Sequence, residues 1–196
     1  MKIILASKSP RRRELLTELG GKMGFDFKII TEDVDESVEE GISPEDAVRI
    51  LAERKGAAVA SKEECRNALV ISSDTLVECD GIALGKPIDK EDARRMLSSL
   101  SGRGHFVRTG VSVSYLGKVV SGVASTEVVF RDVSEFEIDS YVESGEPMDK
   151  AGAYGIQGEA GKFVSEYRGD FDTVVGLSLA LTERLILEAA GGDSLD

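Results

Sequence analysis

The sequence is poor in the residues that stabilise small secreted proteins or equip common catalytic sites. Its 196 residues include two cysteines, one histidine and no tryptophan. Cys65 and Cys79 are far apart and lack zinc-ligand spacing, which is typical of a protein kept in a reducing compartment. The single histidine, His105, has no serine or cysteine signature to support a Ser-His-Asp or Cys-His mechanism. We therefore interpret His105 as structural.

Long apolar runs are also lacking. No stretch approaches the roughly 20 apolar residues that a helix needs to cross a bilayer. The N-terminal MKIILASKSPRRR carries its charges after a short apolar run, whereas a signal peptide carries them before a longer one. The sequence thus predicts a cytoplasmic protein without a membrane partner.

Positive charge is scarce, since 24 Lys and Arg stand against 36 Asp and Glu and the formal net charge is −12. Such a charge repels nucleic acid polymers and anionic membranes at long range. A nucleotide would be repelled too, unless cations gather locally. The densest basic stretch lies between Lys8 and Arg13 and includes Arg11 and Arg12.

Hydrophobic periodicity and turn residues predict one α/β domain over residues 1–196. Because helices and strands alternate early and hairpins dominate later, we expect a mixed sheet with helices on both faces. Strands are predicted over residues 2–6, 26–30, 69–73, 75–79, 82–84, 106–116, 118–131 and 163–167. Helices are predicted over residues 10–19, ended by Gly20-Gly21, over 44–60, from a cap at Asp89 to about 101, from a capping box at Ser134 and Glu137 to 145, and over 173–190.

A basic motif, SKSPRR at residues 7–12, lies at the first strand-to-helix junction. A helix N-terminus exposes unpaired N–H groups and a partial positive charge, which bind anions. Serine hydroxyls add donors, and arginine forks match phosphate oxygens. A capped helix with solvated arginines is the simpler interpretation. The position at the carboxyl end of a strand favours phosphate binding.

Asp74 lies between two apolar runs, where a carboxylate loses solvation unless a cation, a metal or several donors compensate. It is a candidate for binding metal or activating water. The alternative is that Asp74 and Thr75 form a turn or bulge.

Two lysines are candidates for the same site. Lys55 lies on the apolar stripe of the second helix, four residues from Leu51 and from Val59. It either snorkels to water or reaches a phosphate at the edge of the core. Lys86, between Gly85 and Pro87, follows the strands that carry Asp74, and its loop is either a plain turn or part of the same site.

An acidic segment at residues 32–36, EDVDE, supplies four carboxylates. Such a run is commonly a solvated surface, but Mg²⁺ needs only one or two carboxylates besides water and substrate phosphates. The sequence has no GxxxxGK[ST] phosphate loop and no GxGxxG dinucleotide motif.

Together these motifs resemble the Maf family of nucleotide pyrophosphatases. The similarity spans residues 4–177 and keeps the family's order. The motifs are residues 7–12, Ser73-Asp74-Thr75, LGKP at 84–87, SGRGH at 101–105 and EPMDKAGAYGIQG at 146–158, of which the last is the most specific.

The resemblance implies a fold like that of the inosine triphosphate pyrophosphatases, with a strongly twisted mixed sheet and two lobes around a central cleft. It implies Mg²⁺- or Mn²⁺-dependent release of pyrophosphate from nucleoside triphosphates, and a possible homodimer. Asp74-Thr75 is similar to the branch that acts on dTTP and UTP, whereas the guanine-preferring branch has Asp-Gln there. CTP and modified pyrimidine nucleotides stay open as substrates.

Carried over by position, Asp74 matches the family's proton acceptor, and Lys55 and Lys86 match its catalytic lysines. Ser7 and Arg12 match phosphate-binding positions, while Arg11, Thr75 and Gln157 match positions linked to substrate choice. Asp35 matches the acidic metal ligand that acts with Asp74, although Glu36 or Asp33 is an alternative. Where the family has Gly-Leu-Pro this chain has Gly-Leu-Ser178, from which we expect a looser start to the last helix.

Two other functions stay open at this stage. A nucleotide-binding regulator of cell division would need the basic helix start but no water-activating carboxylate. A phosphatase would release the terminal phosphate instead of pyrophosphate.

Overall fold

The structure is a computed structural model that describes residues 1–39 and 41–191. The prediction of one domain over residues 1–196 stays a prediction, and its last five residues lie outside the described part. No described helix is both long and apolar enough to cross a membrane.

The described residues form seven strands and six α-helices. The strands are β1 Ile3–Leu5, β2 Phe27–Ile29, β3 Leu69–Cys79, β4 Ile82–Leu84, β5 Gly104–Tyr115, β6 Lys118–Phe130 and β7 Val164–Arg168. The helices are α1 Pro10–Met23, α2 Pro44–Ala60, α3 Lys90–Leu100, α4 Glu135–Glu143, α5 Phe171–Val175 and α6 Leu179–Ala190. Short 3-10 turns span Glu63–Cys65, Glu146–Asp149, Ala151–Ala153 and Glu159–Phe163.

The sheet has the strand order β2-β1-β3-β5-β6-β7, with β4 paired to β3. β1 runs parallel to β2 and β3, whereas β4 is antiparallel to β3 and β7 is antiparallel to β6. The mixed α/β prediction is therefore confirmed.

The chain divides into two compact units. The first unit consists of the described residues within Met1–Asp74, Thr109–Ala124 and Gly176–Asp196. Alternate residues of β1 enter different clusters, since Ile3 and Leu5 pack with α1 and α6 while Ile4 packs with Val59 of α2. Side chains alternate across a strand, so helices cover both faces of the sheet in this unit.

The second unit consists of Thr75–Arg108 and Ser125–Val175. Its core joins α3 and α4 to the strands and to the glycine-rich segment after α4. His105 is buried there, with Nε2 2.8 Å from the Tyr154 hydroxyl and its ring 5.0 Å from that of Phe130. Burial lowers the pKa of His105 from 6.5 to about 4, because desolvation penalises the charged ring. His105 is therefore part of the core of the second unit, and its structural role stays a prediction.

Two predicted helices have the wrong extent. α1 continues through Gly20-Gly21 to Met23 and ends at Gly24, whose left-handed backbone (φ 79°) lets its N–H reach the Gly20 carbonyl. The predicted helix over 173–190 is two helices, separated at Gly176, where φ is 122°.

Two interpretations of local motifs are also wrong. One strand, β3, runs from Leu69 to Cys79 where two strands were predicted, so the alternative of a turn at Asp74 and Thr75 is wrong too. Ser178 secures the start of α6 instead of loosening it, since its hydroxyl accepts a hydrogen bond from the Leu181 N–H at 3.3 Å.

Candidate active site

The carboxylate of Asp74 lies beside the basic helix start in the first unit. β1 pairs in parallel with β3, and the register places Leu5 opposite Ile71. The two strands run in the same direction, so the residues that follow β1 lie next to those that follow Ile71 in β3. The sheet thus brings Asp74 to the strand edge where α1 begins.

Lys55 and two carboxylates form the centre of this site. The Lys55 ammonium lies 2.5 Å from Asp74 and 2.6 Å from Glu36. The side chains of Lys55 and Asp74 are only 18% and 14% exposed, whereas that of Glu36 is 54% exposed. One ammonium group is therefore shared by two carboxylates at the rim of the core, and we call these three residues the Lys55 cluster.

The sequence of α2 fixes Lys55 in this position. Val48, Leu51, Ala52 and Val59 are buried, as the helical stripe predicts. The helix also packs closely on β5, because a methyl group at Gly110 would lie 2.3 Å from the Val48 carbonyl oxygen. Lys55 is thereby directed to the edge of the core, where it meets Asp74.

Arg12 is a fixed cation next to this cluster. Its Nε donates to the Gly176 carbonyl and its Nη1 to the Ser73 carbonyl, both at 2.9 Å. Burial lowers the pKa of the Arg12 guanidinium, and the negative charge of Asp74 opposes that shift. Arg12 therefore supplies positive charge near Asp74 while two of its N–H groups hold neighbouring backbone.

Arg11 differs from Arg12 in its contacts. Its positive charge is among the influences that lower the pKa of Arg12, so it lies within electrostatic range of that guanidinium. Arg11 is partly exposed and has no hydrogen bond or ion pair with another described residue. Its guanidinium fork is therefore available to an anion.

Two serines shape the start of α1. Ser9 caps the helix, with its hydroxyl accepting from the Arg12 N–H at 3.4 Å. The buried Ser7 hydroxyl accepts from the Ser9 N–H at 3.2 Å. Ser7 thus holds the turn that leads into the helix. Ser7 and Arg12, the two predicted phosphate-binding residues, both lie at the start of α1.

Cations hold the acidic segment against the first unit. Lys8 pairs with Asp33 at 2.7 Å, and Lys62 pairs with Glu32. Arg54 donates to the backbone carbonyls of Asp35 and Ser37. These contacts set which acidic side chain turns toward the site.

Glu36 is the acid of this segment that contacts Lys55. The Asp35 carboxylate instead accepts from the N–H and the hydroxyl of Ser37, at 2.9 and 2.7 Å, and these bonds lower its pKa. The metal role of Asp35 stays a prediction. The sequence offered Glu36 only as an alternative, because no local signal distinguishes neighbouring acids in an exposed segment.

The remaining predicted residues belong to the second unit. Thr75 follows Asp74 in β3 and is partly buried. Lys86 is exposed in the loop after β4, and the neighbouring Gly85 carbonyl accepts from the Gly152 N–H at 2.9 Å. That bond joins the Lys86 loop to the segment that leads to Gln157, which is exposed.

Glu36 and Asp74 are the residues of the first unit that fit a divalent cation. Both carboxylates contact a single nitrogen atom and therefore lie close together. Mg²⁺ and Mn²⁺ favour such oxygen ligands, and Mg²⁺ needs only one or two carboxylates. Within residues 1–39 and 41–191 no three acidic, histidine or cysteine side chains gather as a metal site.

Sequence reasoning missed the part that Gly176 has in this site. Its carbonyl accepts from Arg12 and, at 3.1 Å, from the Ser73 hydroxyl. Glycine lacks a side chain that could signal such a role, and the contact with Ser73 spans 103 residues. Only the fold reveals it.

Fold and site together define a mixed α/β protein in which Arg12 and Lys55 lie near the carboxylates of Glu36 and Asp74. Comparison with known proteins gives its family. The family model described as "Maf-like protein" matches residues 2–189. The chain belongs to the Maf-like protein family.

Relatives align over nearly the whole chain. Proteins named dTTP/UTP pyrophosphatase from Shewanella oneidensis and Anaeromyxobacter dehalogenans are 44% and 47% identical to it. The alignments cover 96% of this chain in both cases, and 98% and 94% of the relatives. A crystal structure of a nucleoside-triphosphatase / dITP/XTP pyrophosphatase from Mycobacterium abscessus superposes with a TM-score of 0.49 at 17% identity, covering 97% of this chain and 94% of that one.

Proposed function

We propose that this protein hydrolyses dTTP and UTP to the nucleoside monophosphate and pyrophosphate, a house-cleaning activity on nucleotides. The observation that carries the proposal is the Lys55 cluster with Arg12 beside it, in a chain that aligns with dTTP/UTP pyrophosphatases over 96% of its length. CTP and modified pyrimidine nucleotides are further candidate substrates.

Asp74 orients a water molecule and accepts its proton. The water oxygen bonds to the α-phosphorus, the bond from that phosphorus to the bridging oxygen breaks, and pyrophosphate leaves with the electron pair. Lys55 holds the Asp74 carboxylate through the 2.5 Å contact. Arg11 and Arg12, with Ser7 and the helix start, stabilise the phosphate charges, because phosphoryl chemistry depends mainly on positioning and charge stabilisation.

Mg²⁺ or Mn²⁺ is the proposed cofactor. Glu36 and Asp74 would hold it, and Asp35 is the alternative that the family resemblance gives. When bound, such a cation neutralises charge on phosphate oxygens. Both carboxylates now contact Lys55, so a cation would compete with the ammonium for them.

The family resemblance gives roles to three residues of the second unit. Lys86 neutralises charge on the leaving pyrophosphate. Thr75 and Gln157 contribute to substrate choice, since a glutamine amide offers one donor and one acceptor to a pyrimidine edge. We further propose that the protein is a cytoplasmic homodimer that binds neither nucleic acid polymers nor membranes.

A product assay tests this function. The purified protein is incubated with a panel of nucleoside triphosphates and Mg²⁺, Mn²⁺ or EDTA, and pyrophosphate is separated from orthophosphate. We expect pyrophosphate as the first product, fastest from dTTP or UTP and lost with EDTA. Orthophosphate as the first product would indicate a phosphatase, and binding without any product would indicate a regulator.

A further inference from the structure

The carboxylate of Glu146 lies at the base of the segment that carries Gln157. Its Oε1 accepts a hydrogen bond from the Tyr141 hydroxyl at 3.1 Å, and its Oε2 accepts from the Glu159 N–H at 3.3 Å. Tyr141 is a buried residue of α4, whereas Glu159 lies two positions after Gln157. One partly buried carboxylate therefore joins the core of the second unit to the Gln157 segment.

The segment is packed onto this carboxylate as well as bonded to it. A methyl group at Gly158 would lie 1.9 Å from Oε1 of Glu146, so any larger residue at 158 would displace one of the two. Lys150 fills the space beside Gly155, where a methyl group would lie 2.8 Å from its Cε. The Lys150 ammonium donates to the Glu146 carbonyl at 2.5 Å. Side chain and backbone of Glu146 thus both fix this segment.

The preceding side of the segment is also fixed. Tyr154 is buried, and its hydroxyl meets His105 at 2.8 Å. Burial and the Glu146 carboxylate raise the pKa of the Tyr141 hydroxyl, and a hydrogen bond with the Gly155 backbone opposes this shift. Gln157 is therefore an exposed residue between two fixed residues, Tyr154 before it and Glu159 after it. Glu146 holds the second of these.

We propose that Glu146 is a positioning residue that fixes how Gln157 is presented to the base of the nucleotide. The inference rests on the proposed function, in which Gln157 reads the pyrimidine edge. Glu146 itself does not touch substrate. A hydrogen-bonding residue discriminates between bases only when its direction is fixed, because a freely rotating amide can satisfy either edge.

The test compares Glu146→Ala with Glu159→Ala. Glu159 is an exposed acid in the same segment that contributes to the anchor through its backbone N–H, which the substitution leaves unchanged. The readouts are kcat/KM for dTTP and dGTP and amide hydrogen exchange of residues 154–160. For Glu146→Ala we expect the dTTP-to-dGTP ratio to fall about tenfold, mainly through KM for dTTP, and the amides to lose protection. Glu159→Ala should keep both wild-type values, and Glu146→Gln, which retains an acceptor, should restore most of the ratio.

A double variant separates positioning from general destabilisation. If Glu146 acts through Gln157, the ratio of Glu146→Ala with Gln157→Ala should equal that of Gln157→Ala alone. Equal losses for dTTP and dGTP, or unchanged exchange in Glu146→Ala, would overturn the inference. An unchanged ratio in Gln157→Ala would overturn it too, by removing Gln157 from base recognition. Absence of pyrophosphate release by the wild type would instead refute the proposed function, while the exchange result would still decide whether Glu146 holds the segment.

Discussion

At the residue scale, the Lys55 cluster places one ammonium group between two carboxylates of an acidic molecule. Glu36 and Asp74 would repel each other, and Lys55 between them offsets that repulsion. In the proposed function, a polyphosphate that approaches Arg11 and Arg12 meets carboxylates whose charge is partly offset, because Glu36 and Asp74 share Lys55 and Asp33 pairs with Lys8. The local balance of charge therefore differs from the net charge of −12.

A second residue-scale consequence concerns His105, the one histidine of the chain. Burial lowers its pKa from 6.5 to about 4. Between these pH values the imidazole is protonated in the unfolded chain and neutral in the folded chain. The free energy of unfolding should therefore decrease as the pH falls through this window. The expected loss is on the order of 3 kcal/mol.

Chemical denaturation at several pH values, for the wild type and His105→Gln, measures this effect. Carboxylates titrate in both proteins, so the difference between the two curves isolates the histidine. We expect His105→Gln to lack the part of the slope between pH 6.5 and 4. Parallel curves for the two proteins would show that His105 binds protons equally well folded and unfolded.

At the scale of elements, the sequence predicted helix starts better than helix ends. Asp89 and Ser134 cap helices as predicted, because a cap depends on a bond to a residue three positions away. The end of α1 was misread at Gly20-Gly21. A glycine in sequence does not reveal whether it ends a helix or permits a close contact, and Gly20 serves the second purpose.

The paired glycines of α1 give a matched test of that distinction. A methyl group at Gly20 would lie 2.6 Å from the Phe25 carbonyl oxygen, whereas one at Gly21 would have nothing within 4 Å. We expect Gly21→Ala to stabilise the protein by about 0.5–1 kcal/mol, because alanine has the higher helix propensity. Gly20→Ala should destabilise it by roughly 1–3 kcal/mol, because Phe25 must move.

Denaturant titration of the two variants beside the wild type checks both signs. Each substitution adds the same methyl group to the same helix, so composition and propensity are matched. Stabilisation by both variants would mean that the contact between Gly20 and Phe25 imposes no constraint. Destabilisation by both would mean that α1 ends at these glycines after all.

At the scale of the whole molecule, the site was predictable where it depends on strand order and not where it depends on distant contacts. The sequence separately placed residues 7–12 at the carboxyl end of one buried strand and Asp74 after another. The parallel pairing of β1 with β3 brings the two to one sheet edge in the first unit. The choice of Glu36 over Asp35 was not predictable, because Lys8, Lys62 and Arg54 set the course of that segment from other elements.

The gathering of these residues also shows what composition alone could not indicate. A net charge of −12 argues against polyanions in general. Arg12, Lys55 and Asp74 come from three different elements, and only the fold places their charges within range of one another. The account therefore depends on Asp74 as the group around which these cations act.

The most direct test compares Asp74→Asn with Asp26→Asn, an exposed aspartate of the same unit, in pyrophosphate release from dTTP and in dTTP binding. Removal of a general base typically lowers turnover 10²–10⁴-fold, so we expect about that loss in Asp74→Asn with nucleotide binding retained. Asp26→Asn should match the wild type in both measurements. Wild-type turnover by Asp74→Asn would contradict the account.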